Sequence, residues 1–496
     1  MAMPGIKILR RMFGLDWRSL ALMRMGLALV LLVDLAVSAQ NLRAFYTDAG
    51  VLPREMVQTD AFPKEFSVHM LGGGVGFEGA LFALEGLFAL MMLVGYRTRL
   101  ETIGCGYLLL SRQARAPLVL YGADMIEHIA FFWALWLPLN RRFSLDAAQG
   151  RVAPPTEPTY VGVAGIGAII QFMLIYMMSA LMKTGPSWTV DHTAVQYALS
   201  LGMYARSAGQ WLNQFDGVTA FLTVYTVFLE LYGPLLLIFP WGTGRARLLG
   251  CLLLGTLQLG FGVCMQMGLF WVAMNAFMLM LLPAEFWTWL AEPLARRAAK
   301  WLQLTPARAP EHPAIPPFSP WRRRAARGGR WLRDGVILAI MAGMILAALD
   351  FLPNHEPLTP PGWNRLAGAV GLDQSYAMFA PDPQRDDGWF VARGWFENGN
   401  NVDVLTGASP ANFDRPEDIA ATYLDQRWGS YYYDLLFPDY QPYLAGFAEY
   451  LGGQWNDAHP AGQQLKSLEI IFMHQIIGPH HTVSTPQPAV FWTEYF

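Results

Sequence analysis

Nine apolar stretches dominate this chain, at roughly 17–38, 77–95, 100–112, 122–139, 160–182, 217–240, 246–264, 268–289 and 333–352. Most are long enough to carry a helix across a hydrocarbon layer about 30 Å thick, which takes about 20 residues. A bilayer offers the backbone no water to bond, so a chain of this pattern is driven to a bundle of α-helices. Composition agrees: of 496 residues 54% are hydrophobic and only 15% charged, a balance rare in a water-soluble chain of this length. The fold class expected is an α-helical polytopic membrane protein with about eight or nine transmembrane helices and a C-terminal extramembrane α+β domain. The third stretch is the weakest, because Arg112 and Arg115 end it early; it reads as a short, tilted or protein-buried span. The first follows Lys7, Arg10 and Arg11, as a signal peptide would. No small-residue cleavage site follows it, so it reads as a retained helix.

Orientation follows from lysine and arginine, which keep short loops on the cytoplasmic side. Placing Lys7, Arg10, Arg11 and Arg18 inside also puts Arg97 with Arg99, Arg141 with Arg142, Arg245 with Arg247, and the stretch from Arg296 to Arg333 inside. Arg112 and Arg115 are the exception. With every stretch crossing, the loop that begins at Lys183 and the chain after Phe351 lie outside. The reading is a multi-pass protein of the cell (inner) membrane, its N-terminus cytoplasmic and its C-terminal domain on the outer, periplasmic side. Its formal charge of -3 carries no nucleic-acid footprint. Cys105, Cys251 and Cys264 all sit in apolar segments, where cysteine acts as a small hydrophobe, so no disulfide framework is implied. The histidines show no metal spacing, and His480 with His481 reads as part of an exposed turn near Gly478 and Pro479.

Composition divides the chain into a transmembrane helical domain at 1–295, a basic Pro/Arg-rich linker at 296–330, a last transmembrane helix at 331–352 and an outer α+β domain at 353–496. Proline density argues against packed structure in the linker, whose arginines suit anionic headgroups. In the outer domain, alternation from Trp389 to Phe396, turn residues from Glu397 to Asn400 and a return from Asn401 to Leu405 predict a β-hairpin. Pro416 to Gly429 and Leu444 to Gly452 look helical. Trp428, Tyr431, Tyr432 and Tyr433 either fill that domain's core, the preferred reading, or pack on the membrane domain's outer surface.

Lys183 ends the run YVGVAGIGAIIQFMLIYMMSALMK, which places its amine at the outer membrane face. His128, in the fourth stretch, lies about six residues or roughly 9 Å from the same face, within reach of a flexible lysine stem. An amine and an imidazole under an apolar roof suggest proton chemistry. An exposed lysine, with a pKa near 10.4, is useless as a base; burial disfavours its ammonium form and opens that role. Asp124, four residues before His128, is placed to fix the ring's tautomer. The bland alternative is a lysine that snorkels to the headgroups and a histidine that is a satisfied structural donor. Arg24, Asp34, Glu78, Glu85 and Glu230 also fall in apolar stretches and need partners. Glu78 and Glu85, seven apart, share a helix face and are assigned to structure first.

Longer motifs carry a family resemblance. The opening DWRSLALMRMGLALVLLVDL with LRAFYTDAGVLPRE, then GADMIEHIAFFWALWLPLNRRFSLD, YMMSALMKTGPSWTVDHTAVQYALS, ELYGPLLLI, MQMGLFW with LPAEFW, and DQSYAMFAPDPQRDDGWFVARGWFENG run along nearly the whole chain. In that order they resemble the bacterial horizontally transferred transmembrane (HTTM) domain family, which is related to vitamin K-dependent gamma-carboxylase. The resemblance implies an enzyme of the carbon–carbon lyase class, whose cofactor is reduced vitamin K or a related quinone and whose co-substrates are O2 and CO2. In such an enzyme a lysine base deprotonates the reduced quinone, which takes up oxygen, leaves as its epoxide and drives carboxylation of a glutamate. Lys183, in SALMKTGPSW, matches the catalytic base, and His128, in MIEHIAFF, a histidine that assists it. Trp188, Glu230 and Gln258 are weaker candidates to line the quinone pocket. The implied partners are the lipid bilayer, a quinone and a peptide or small-molecule acceptor at the outer face.

Departures narrow the resemblance. Gln258 stands where relatives carry a histidine, Trp271 follows MGLF where proline is frequent, no cysteine follows Cys264, and no propeptide-binding region is recognisable. The alternative reading is a non-catalytic membrane transporter or assembly module using the same bundle. Against a transporter stands the lack of an obvious internal repeat or of paired, Gly/Pro-broken helices.

Overall fold

The computed structural model describes residues 4–57, 66–301, 320–352, 356–372 and 374–496. Its helical part runs through α1 (Trp17–Gln40), α2 (Val75–Val94), α3 (Thr98–Arg115), α4 (Gly122–Trp136), α5 (Val163–Met182), α6 (Asp216–Tyr232), α7 (Thr243–Cys264), α8 (Phe270–Met278) and α9 (Pro320–Asp350). Among the described residues, six helices are long and apolar enough to cross a membrane: α1, α2, α5, α6 with its continuation to Ile238, α7, and the Gly328–Asp350 part of α9. A seventh is added if Phe270–Leu281 and Ala284–Arg297, bent by 95° at Pro283, form one broken span.

The count of eight or nine expected from hydropathy is not reached on length and apolarity, for two reasons. The segment 122–139 forms a helix of only 15 residues, α4. The third stretch does extend to an 18-residue helix, α3, but gains its length by taking in Arg99, Glu101, Arg112 and Arg115. These charges are tolerated because the helix turns Glu101, Arg112 and Arg115 into the protein rather than to lipid.

Local signals set the helix ends. Asp16 caps α1, its side chain accepting from the Arg18 N–H. α2 stops at Gly95, whose φ of 68° suits a left-handed cap; a Cβ there would meet Arg24 Nη1 at 1.5 Å and Ser144 Cβ at 2.5 Å, so a larger residue would have to displace both. α1 packs on α2 and α8, α4 on α3 and α8, and α5 on α6 and α9. The linker reading needs correction at both ends: Glu292–Trp301 is helical, and α9 begins at Pro320 rather than near Trp331. Proline at the first helical position is well tolerated, and the Arg/Ala run behind it favours helix. The other linker prolines, from Pro306 to Pro317, lie outside the described residues.

The C-terminal region is a cap built on a four-stranded antiparallel sheet. β1 (Asp386–Phe396) turns back into the short β2 (Asn401–Asp403). Two helices, α10 (Gln426–Asp434) and α11 (Tyr443–Ala458), intervene before β3 (Leu465–Ile476) and β4 (Gln487–Tyr495), giving the order β2-β1-β3-β4. Asp425 caps α10 through the Arg427 and Trp428 N–H groups. Tyr432 stacks on Phe390, and Phe447 packs against Tyr431 and Tyr432, so these aromatics fill the cap's core. Trp428 belongs to the seam as well: its ring lies 4.5 Å from that of Phe45, and its indole N–H donates to Asn41 Oδ1 at 2.9 Å.

Beneath that seam lies a buried charge cluster. Arg112 of α3 binds Asp34 of α1 at 2.6 Å and Glu85 of α2 at 3.1 Å. Arg427 reaches in from the cap to bind the other oxygen of Asp34 and, at 3.2 Å, Asp124 of α4. Arg115 donates to the Leu52 carbonyl at 2.7 Å. Arg112 and Arg115 are therefore buried helix residues, not loop charges, which is why they break the pattern of inward-facing basic loops. Glu78 takes His69 Nδ1 at 2.6 Å, so both glutamates of α2 are paired within the bundle.

Candidate active site at the Lys183–Glu230 pair

α5 ends at Met182, and Lys183 occupies its C-cap with φ -77° and ψ 65°, off the helical path. The side chain folds back along the helix instead of leaving for the surface. Nζ donates to Ser179 Oγ at 2.6 Å and to the Ser179 carbonyl at 3.3 Å, one turn earlier. From α6, Glu230 Oε2 lies 2.6 Å from the same nitrogen. The Trp188 ring closes the group, its centre 5.2 Å from Nζ, and donates its own N–H to the Phe379 carbonyl at 2.8 Å. Lys183 and Glu230 are each only 5% exposed, so the snorkelling alternative does not describe this lysine.

Burial alone, the argument available from sequence, leaves out this carboxylate. Ammonium with carboxylate, or amine with carboxylic acid, differ by one proton moved across a single short hydrogen bond. Either arrangement leaves the pair without net charge, which an apolar surround tolerates far better than a lone ion.

The carboxylate of the pair borders a small cavity of about 40 Å³, lined by Ser179 and Tyr176 of α5, Glu230, Gln258 of α7, Met125 of α4 and Met274 of α8, among others. Gln258 donates to the Tyr176 hydroxyl at 3.0 Å, and its Oε1 is buried with no hydrogen-bond partner. A larger chamber of about 450 Å³ lies between the bundle and the cap. Phe270 and Met378 line both spaces and so form the partition between them.

Of the residues singled out from sequence, the fold brings Lys183, Glu230 and Trp188 into contact and sets Gln258 across the cavity. Trp188 braces the lysine and lines neither space. His128 is not part of this group. Its ring packs on the 371 loop, where a Cβ at Gly371 would come within 2.9 Å of Nδ1, and its Nε2 is buried without a partner. Asp124 does not orient that ring either. It is held by the Tyr121 N–H at 2.8 Å, the Gln113 amide at 2.7 Å and Arg427, and three donors outweigh helical adjacency to one imidazole. Residues at the site not singled out from sequence are Ser179 and Tyr176, both on α5 and within two turns of Lys183, and Ser375, Tyr376 and Met378, which also line the cavity.

Comparison with protein-family models finds no match, and comparisons with curated proteins and with solved structures find none either. The chemistry of the donor set is thus the test of a quinone. A hydroquinone offers hydroxyl donors, and Glu230 with the partnerless Gln258 Oε1 supplies acceptors at the cavity wall. The space is small: by the measure in which one water takes about 10–15 Å³, it holds a few waters. Two fused rings exceed that space as it stands, and room for them would require the unbranched side chains of Met125, Met274 and Met378 to move. Among the described residues, no group of three or more His, Cys, Asp or Glu is placed to hold a metal ion.

Proposed function

We propose that this chain is a carboxylase-like integral membrane enzyme in which the Lys183–Glu230 pair acts as general base toward a lipid-soluble hydroquinone. The observation that carries the reading is a buried amine 2.6 Å from a carboxylate that itself lines a cavity with a free amide oxygen. A bound reduced naphthoquinone would supply the reducing equivalents, reacting with O2 to leave as its epoxide and driving proton removal from an acceptor to which CO2 then adds. In the protein, Glu230 links the Lys183 nitrogen to the cavity that its own carboxylate lines, Ser179 fixes the amine's height, and the Trp188 ring packs over it. Gln258 positions the hydroxyl to be deprotonated, through Oε1, while its amide is fixed by Tyr176. His128 has no place in this step and supports the 371 loop.

The arginine placements support a cytoplasmic N-terminus with the cap outside, so that an acceptor reaches the upper chamber from the periplasmic side of an inner membrane. The test is conversion of a reduced naphthoquinone to its epoxide by purified protein in lipid nanodiscs. Lys183→Ala is expected to lower the rate by at least about 10²-fold, the lower range for a general base. An unchanged rate removes the base assignment. A second reading, a non-catalytic module, draws on the same ion pair as a strut between α5 and α6; it predicts no turnover by the wild type and loss of thermal stability alone in the variant.

A further inference from the structure

The upper chamber has a composition that the chemistry at Lys183 does not require. Five aromatic residues, Tyr121, Tyr204, Phe270, Phe379 and Tyr433, contribute to its wall. Its charged lining residues are two carboxylates, Asp382 and Asp434, and no lysine, arginine or histidine joins them. Asp382 is partly committed, since Oδ1 accepts from the Ser187 N–H at 3.0 Å and from the Ser187 hydroxyl. Asp434 differs: half-buried at the end of α10, it has no hydrogen bond or ion pair to its carboxylate among the described residues. The arginines nearest the wall are spent elsewhere. Arg427 lies 5.4 Å from the Tyr121 ring centre but serves Asp34 and Asp124, and Arg385 stacks 4.4 Å over Tyr197.

An anion entering this space meets two like charges and no counter-charge, a juxtaposition that costs free energy in a partly desolvated site. A cation meets a carboxylate that lacks a partner and several aromatic faces, the combination by which proteins hold organic ammonium groups. The volume, about 450 Å³, falls in the usual range for small-molecule sites. We propose that the chamber under the cap is a binding site for an organic monocation bearing an ammonium group, with Asp434 as its counter-ion and the tyrosine-rich wall as its lining. The proposal rests on the chamber alone and not on the chemistry assigned to Lys183. Where both hold, the acceptor presented to the base carries positive charge rather than an acidic side chain.

The probes are n-butylammonium, tetramethylammonium, butyrate and butanol, titrated by calorimetry onto the full chain in nanodiscs of zwitterionic lipid at pH 8. Saturable binding of a cation at least tenfold tighter than butyrate is expected, with Asp434→Asn weakening it by tenfold or more. Gln384→Lys, which brings an ammonium into the wall, is expected to abolish it, and serves if the first variant does not fold. Binding of butyrate equal to that of the cations, no saturable cation binding, or unchanged affinity in either folded variant overturns the proposal. Epoxide formation, followed separately, reports on Lys183, so the two ideas fail independently.

Discussion

Two of the buried ionic groups among the described residues are built differently. Planar guanidinium forks from α3 (Arg112) and the cap (Arg427) bind Asp34 of α1, Glu85 of α2 and Asp124 of α4. Around Lys183, a single flexible amine meets one carboxylate and one serine at the wall of a cavity. Arginine keeps its proton at any ordinary pH and imposes geometry, whereas lysine is a point charge whose proton can move. The first arrangement suits assembly and the second suits chemistry.

Substitutions can break that contrast. The largest effect is expected from Arg427→Ala, which leaves Asp34 and Asp124 with less counter-charge at 2% exposure each; removing one partner of such a buried group costs about 3–5 kcal/mol. Thermal unfolding in detergent should show a large drop, and a stable variant would mean the cap is held mainly by its aromatic seam. Lys183→Ala should cost turnover by at least about 10²-fold. The double variant Lys183→Met with Glu230→Leu sharpens the comparison: apolar replacement of a whole buried pair is often neutral or stabilising by about 1–4 kcal/mol, so it should fold with at least near wild-type stability and no turnover. Residual epoxidation in that protein would place the base elsewhere.

Smaller effects follow outside the membrane segments. Burial pushes the Asp434 carboxyl up to about 7, and Asp382, Tyr204 and Tyr433 share its chamber. A carboxyl raised above its unfolded value stabilises the fold at low pH, and that contribution is lost as pH climbs from the ordinary carboxylate range through about 7. Asp434→Asn should therefore raise the melting temperature more at pH 8 than at pH 5. An equal gain at both would show that the carboxyl titrates normally. His128→Gln should change turnover by less than about tenfold, short of the usual contribution of a general acid or base, and a larger loss would restore the imidazole to the reaction.

The apolar run lengths and the turn residues at Glu397–Asn400 make the helical bundle and the β1–β2 hairpin legible in the sequence. Lys183 was legible too, because a basic residue closing an apolar run stands out, and Glu230 drew notice as a charge needing a partner. Their contact was not, since 47 positions separate them and nothing periodic links α5 to α6. Arg427 gave still less warning: it lies 393 positions from Asp34, in a segment whose only sequence signal was helical. The assignment of Asp124 to His128 failed for the same reason, because local helical spacing could not register a competitor 303 positions away. Hydropathy alone did not register that 122–139 forms a helix of only 15 residues or that the third stretch gains its length by taking in buried charges.

Arg427 has a consequence for traffic. A side chain that descends from the cap and is riveted to both Asp34 and Asp124 prevents the cap from lifting as a hinged cover without unseating charge from the interior. Whatever enters the space below must slip in sideways, past the 377–384 segment and the loop at Met203, while the roof stays bolted down.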